Sequence, residues 1–238
     1  MKASNQSHPE NVYDLFSGLP LSQKPSQTII RLAPELDGLE MLYSNHSNPG
    51  KLFALKVLCW ALYEDGRVSG MIPWLDKMIS CEEIDDPLRG QWEGYYDPLN
   101  DDVFFEAPIH KIIELETAAN YYHCKTENDR QLIQIIPDNI GTHAVFSLNG
   151  NQQLYLTEVV SWHLRGDGHI HPMVIDRKST FDAPVLPDAE CLVSADNDPD
   201  FRYFFQHHIA NRIKAQDPEA LAVIAVLLGD IEETEGPH

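Results

Sequence analysis

Residues 144–156 read Ala-Val-Phe-Ser-Leu-Asn-Gly-Asn-Gln-Gln-Leu-Tyr-Leu, and this stretch decides how the chain folds. Two segments rich in β-branched, aromatic and other apolar residues flank Asn149-Gly150, a dipeptide that tolerates the positive φ of a tight turn. The pattern therefore predicts a β-hairpin. Further strands are expected over 67–75, 91–96, 103–106, 132–136, 159–164, 169–175 and 190–194.

Other segments predict helices around these strands. An apolar run that begins after Pro49 covers every face of a helix up to Asp65, which is typical of a buried helix. Pro108 opens a second helix that ends near Cys124. Two closing helices are expected at the C-terminus, one from Asp198 to about residue 213 and one over 217–229.

Helices combined with antiparallel hairpins predict an α+β fold, with several helices packed on the strands and two of them closing the C-terminus. Residues 1–27 are rich in Ser, Asn, Gln and Pro, and we expect an N-terminal arm there, either flexible or ordered on contact. Residues 28–238 are expected to form a single α+β domain, or two subdomains divided near 125–130. We detect no internal repeat in the sequence.

The chain is strongly acidic, with 37 Asp and Glu against 17 Lys and Arg and a net charge of −20 over 238 residues. Most of these carboxylates are expected at the surface, because burying an unpaired charge is costly. Such a surface repels phosphate backbones and anionic lipid, which argues against nucleic-acid and membrane binding. It attracts basic proteins and cations.

The densest acidic segment, residues 82–106, holds nine acids and a single base, and it interleaves them with aromatic side chains. Aromatic residues among charges are typical of binding hot spots. We therefore predict a non-catalytic cytosolic binding protein, such as an inhibitor or immunity-type partner of a basic nuclease. The predicted contact residues are Trp92, Glu93, Tyr95, Tyr96, Asp97, Asp101, Asp102 and Phe104. The alternative is an acidic face that serves only solubility.

A second hypothesis concerns the histidine-rich segment 163–171. His169 and His171 lie two residues apart, so in a strand they point to the same face. Asp167 and His163 could supply further ligands, which would make a site for a divalent metal such as zinc that activates water in a hydrolase. The alternative is a hairpin end whose histidines face solvent. The acidic-binding hypothesis requires no cofactor.

The remaining signals bear on location and assembly. Four cysteines without metal or redox spacing indicate reduced thiols: Cys59, Cys81, Cys124 and Cys191. No signal peptide is visible, and the apolar run over 220–228 is too short to span a membrane, so we expect a cytoplasmic protein. The two closing helices are apolar enough to form either an internal core or a homodimer face.

Overall fold

The computed structural model describes residues 27–45, 52–86, 90–121, 130–148, 153–175 and 192–206. Strands account for 61% of the structure, and one helix exceeds a single turn, α1 (Ile109–Tyr121). The strands are β1 (Ile29–Pro34), β2 (Glu40–Asn45), β3 (Leu52–Lys56), β4 (Cys59–Tyr63), β5 (Val68–Trp74), β6 (Lys77–Ser80), β7 (Asp85–Asp86), β8 (Gly90–Asp97), β9 (Asp102–Phe104), β10 (Leu132–Pro137), β11 (Thr142–Leu148), β12 (Gln153–Arg165), β13 (Ile170–Ile175), β14 (Leu192–Ser194) and β15 (Phe201–Gln206). Two 3₁₀ turns, Cys81–Glu83 and Ala195–Asn197, precede β7 and β15.

The predicted α+β packing with several helices is wrong, because the described chain is mainly β-sheet. The helix expected after Pro108 is confirmed as α1. The helix expected after Pro49 is instead the strand pair β3 and β4, and the first closing helix is replaced by the 3₁₀ turn Ala195–Asn197 and β15. The second closing helix and residues 1–26 of the arm lie outside the described residues, and the division near 125–130 stays a prediction.

Burial on both faces explains the misassigned helix. Every residue of β4 is buried, with one face toward α1 and the other toward β10–β15. A strand covered on both sides is apolar throughout, and its sequence cannot be told from that of a buried helix by periodicity. The hairpin predicted from Asn149-Gly150 is confirmed as the antiparallel pair of β11 and β12.

The strands form three sheets. One has the order β1-β4-β5-β6, and a second has the order β3-β2-β8-β7 with β9 paired to β8. The third has the order β14-β13-β12-β11-β15 with β10 paired to β12. The long strand β12 spans positions that β3 and β4 share between two sheets, so the same set of strands forms one sheet in the later part of the chain.

The chain contains an internal structural repeat, unit one over residues 29–97 and unit two over residues 132–206. In each unit the first strand pairs with a strand that carries a buried tryptophan, and this strand pairs with the next one along the chain. The registers correspond: Ala33–Trp60, Trp60–Gly70 and Leu62–Val68 in unit one, and Ile136–Trp162, Trp162–Pro172 and Leu164–Ile170 in unit two. Our conclusion from sequence, that no repeat exists, is therefore wrong.

The irregularities of the strands repeat as well. The β1–β4 register shifts between Ile29 and Arg31, and the β10–β12 register shifts between the equivalent residues Leu132 and Gln134. Likewise β2 shifts against β8 after Leu42, and β11 shifts against β15 after the equivalent Val145. β-Bulges are specific features of a fold rather than defects, so their coincidence supports the equivalence of the two units.

The units pack against each other around a shared core. Side chains on one face of β1, β4 and β5 meet the Trp162 face of unit two, while the Trp60 face of unit one packs against α1 through Leu115. Polar contacts fix the contact between units. The Gln134 side-chain amide donates to the Leu32 carbonyl at 2.7 Å and accepts from the Leu32 N–H at 2.9 Å.

Candidate functional site

Equivalent carboxylates occupy the start of the 3₁₀ turn in each unit. In unit one this carboxylate is Glu82, which accepts hydrogen bonds from the Ser80 hydroxyl at 2.6 Å, the Tyr95 hydroxyl at 2.5 Å and the Ser69 hydroxyl. Ser69, Ser80 and Tyr95 are all buried. The network is closed by its own side chains, so in unit one this carboxylate has a structural role.

In unit two the equivalent carboxylate is Asp196, which accepts a hydrogen bond from Ser194, the counterpart of Ser80. Ser69 is replaced by His171, whose Nδ1 lies 2.8 Å from Asp196 Oδ2 and whose Nε2 lies 3.1 Å from Asp167 Oδ2. His171 therefore links the β12–β13 turn to the 3₁₀ turn before β15. Hydrogen bonding to Asp196, and secondarily to Asp167, raises the pKa of His171 above 6.5 despite its partial burial.

A pair of compensating differences separates the two networks. The Gly70 N–H donates to the Tyr95 hydroxyl at 2.8 Å in unit one. At the equivalent positions unit two has Pro172, which has no N–H, and Phe204, which has no hydroxyl. Because the donor and acceptor are lost together, neither is left buried without a partner. The carboxylate of unit two thus lacks the tyrosine that closes unit one, and a histidine replaces it.

The predicted metal ligands are only partly brought together. Asp167 and His171 are in contact, and His163 lies directly across from His171 in the β12–β13 ladder. His169 is exposed, and its backbone N–H donates to Asp167 at 2.9 Å. Both ring nitrogens of His171 already face carboxylates. No group of three His, Cys, Asp or Glu residues in the described ranges could hold a metal ion, so the hypothesis finds no ligand set there.

His163 has a different environment from His171. Its Nε2 lies 3.2 Å from the Ser161 hydroxyl, and the residue is half-buried. Desolvation lowers the pKa of His163 below 6.5, and the nearby positive charges of Arg165 and His171 lower it further. Two histidines that face each other across a ladder therefore prefer opposite protonation states.

The predicted partner-binding residues lie on one structure, which we call the acidic hairpin: β8, the turn at residues 98–101, β9, Phe105 and Glu106. Its turn is held in place by its own side chains. The Asp97 carboxylate accepts from the Leu99 N–H at 2.9 Å and from the Asn100 side-chain amide at 2.6 Å. These hydrogen bonds, led by that from Asn100, lower the pKa of Asp97. The Tyr96 hydroxyl donates to Asp101 at 2.9 Å.

The predicted contact residues do not share one exposure. Tyr95 is 0% exposed and packs on Trp60 with ring centroids 4.8 Å apart, so it belongs to the core. Trp92 and Phe104 are half-buried, and Glu93 accepts hydrogen bonds from Ser44 and Gln91. The accessible members of the predicted set are Tyr96, Asp97, Asp101 and Asp102.

Sequence reasoning missed two apolar residues on the acidic hairpin. Leu99, at the turn, is 83% exposed, and Phe105, after β9, is 65% exposed. Phe105 contacts Trp92 edge-on, and its ring also lies over Gly94, where a Cβ would come within 3.3 Å of Phe105 Cε1. A leucine within an acidic turn was the available signal, since turn positions normally favour polar residues and glycine.

No protein-family model, curated protein or solved structure matches this chain. Within the described ranges, no helix has the length and apolar character needed to cross a membrane.

Proposed function

We propose that this protein is a non-catalytic acidic binding protein of the cytoplasm, which engages a basic protein through the acidic hairpin. An inhibitor or immunity-type partner of a nuclease is the kind of activity that fits this surface, because a nucleic-acid-binding face is complementary to negative charge. The proposal is supported chiefly by one observation: an exposed leucine is held at the tip of a pre-organised turn bordered by carboxylates.

The charges of this surface are available to a partner. Asp101, Asp102 and Glu106 are exposed, and Asp97 is partly so. Within the described part of the chain, none of the four forms an ion pair with a Lys or Arg side chain. Carboxylates without a cation of their own can pair across an interface, and their long-range attraction speeds the encounter with a basic partner.

The conformation of the turn reduces the cost of binding. Asp101 has a φ of 53°, in the left-handed region, and its carboxylate accepts the Tyr96 hydrogen bond. Together with the three hydrogen bonds that Asp97 accepts from residues 99 and 100, this holds the tip in one shape. A loop that is ordered before binding loses less conformational entropy in the complex.

The test is a comparison of two charge-matched variants in a pull-down from native host lysate. Asp101→Asn/Asp102→Asn removes two charges from the hairpin, and Glu114→Gln/Glu116→Gln removes two from the exposed surface of α1. We expect a basic protein to be captured by the wild type and the α1 variant, to be lost with the hairpin variant, and to dissociate as salt rises. Capture that both variants retain equally, or that salt does not affect, would contradict the proposal.

A further inference from the structure

The repeat identifies positions that are buried in unit one and exposed in unit two. Ile29, Leu32 and Leu58 are 6%, 4% and 0% exposed, because they lie in the core that unit one shares with unit two. Their counterparts by strand register are Leu132, Ile135 and Val160, which are 46%, 53% and 43% exposed. Unit two therefore presents to solvent the face that unit one uses for packing.

The same comparison reveals an outer strand edge. Leu32 of β1 directs its backbone N–H and C=O away from β4, and both are bonded by the Gln134 side chain. Because alternate residues of an antiparallel strand point their backbone groups to opposite sides, the equivalent Ile135 directs its N–H and C=O away from β12. Among the described strands, β10 pairs with β12 alone.

Charge favours contact at this edge. The chain has a net charge of −20, which opposes association of two copies. The residues of β10 are all uncharged, with Arg130 before the strand and Asp138 directly after it. Two such strands in antiparallel pairing would place the Arg130 end of one beside the Asp138 end of the other.

We propose that the outer edge of β10 and the adjacent side chains Leu132, Ile135 and Val160 form a two-fold interface between two copies of this chain. A second copy is the occupant that fits, since exposed edges with apolar side chains pair with one another and two-fold dimers use the same surface on both subunits. The edge of β1 is already bonded to Gln134, so each copy offers β10. This inference is independent of the proposed function.

Sedimentation velocity of the full chain at rising concentration tests the interface. We expect the wild type to approach twice its 27.0 kDa mass, and Ile135→Asp to remain at 27.0 kDa. Leu36→Asp, at an exposed position of unit one, is the matched control and should dimerise like the wild type. Val160→Lys is a second interface variant, and circular dichroism checks that both variants fold.

Several results would overturn this interface. One is a wild type that stays at 27.0 kDa at every concentration, including when Ile135→Asp lowers its thermal stability, as it would if another part of the same chain covered the edge. Another is an Ile135→Asp protein that folds and still dimerises. Salt gives a further check, because added salt screens the repulsion between two acidic copies and should strengthen dimerisation, whereas it weakens binding to a basic partner.

Discussion

Trp60 and Trp162 occupy the same position in the two units and make the same hydrogen bond. The Trp60 indole N–H donates to Glu35 at 2.6 Å, and the Trp162 indole N–H donates to Asp138 at 3.0 Å. Each carboxylate also accepts backbone N–H groups of the loop that follows the first strand of its unit. Part of the acidic composition therefore serves loop structure and is not available to a partner.

Trp60→Phe and Trp162→Phe should each lower the free energy of unfolding by about 1–3 kcal/mol, because each removes a donor from a carboxylate that lies in or beside the core. Urea denaturation measures the change. Both tryptophans are fully buried, so an apolar replacement of similar shape isolates the hydrogen bond from the packing. A change below about 0.5 kcal/mol at both positions would argue against the indole–carboxylate bond.

Tyr95→Phe should destabilise unit one by about 1–3 kcal/mol, because it leaves the Gly70 N–H and one Glu82 oxygen without their tyrosine partner. Phe204→Tyr makes the reverse change in unit two, where Pro172 has no N–H to donate. We expect no gain in stability from that reverse substitution. Thermal unfolding of both variants measures the difference, and a stabilising Phe204→Tyr would contradict the equivalence of the two networks.

The stability that His171 provides should depend on pH. Its pKa is raised in the folded protein, so its contribution is fully present below the unfolded value of about 6.5 and is lost as pH rises through the folded pKa. The difference in unfolding free energy between wild type and His171→Asn should be about 1 kcal/mol at pH of about 5.5 and should shrink above neutrality. Chemical denaturation across this pH range checks it, and a difference that grew with pH would contradict the assigned contacts.

His163 should show the opposite dependence. Its pKa is lowered by burial, so the stability linked to its neutral form is present above about pH 6.5 and is lost as pH falls through the folded pKa. His163→Asn should therefore reduce the loss of wild-type stability on acidification. The two pKa values can be followed separately by NMR titration of the imidazole protons, and a His163 pKa above that of His171 would be the contrary result.

Asp97→Ala should loosen the tip of the acidic hairpin without unfolding the protein. It removes the acceptor for the N–H groups of Leu99 and Asn100, which lie in an exposed turn. Native-state hydrogen exchange of these two amides should accelerate, with little change in the core amides of β4. Leu99→Ala serves as the control, since it shortens an exposed side chain and keeps the Asp97 contacts.

The predicted strands and α1 could be found from sequence because each has a local signal. Asn149-Gly150 marks a turn, and Pro108 lacks the N–H that a first helical position does not need. The strand β15 could not, because the spacing of Phe201, Phe204 and Phe205 imitates one face of a helix. Its pairing with β11 decides its conformation, and that partner is distant in the sequence.

The repeat and the site depend on contacts that sequence periodicity does not report. The units share the positions of the tryptophans and of the turn glycines Gly66 and Gly168, but most equivalent residues differ. For the acidic hairpin, sequence correctly placed β8 and β9 around a turn, yet it could not show that Tyr95 faces the core. Nor could it show that His171 is held between two carboxylates, because Asp196 reaches it only through the pairing of β13 with β14.

A photo-cross-linking amino acid at position 99 gives the most direct measurement of the proposed binding surface. After irradiation in native host lysate at about 50 mM salt, where surface charges are weakly screened, we expect a basic protein to be joined to residue 99. The same group at position 36 should not capture it, and about 500 mM salt should abolish the product. Absence of a position-specific product, or capture of an acidic protein that salt does not release, would contradict the account.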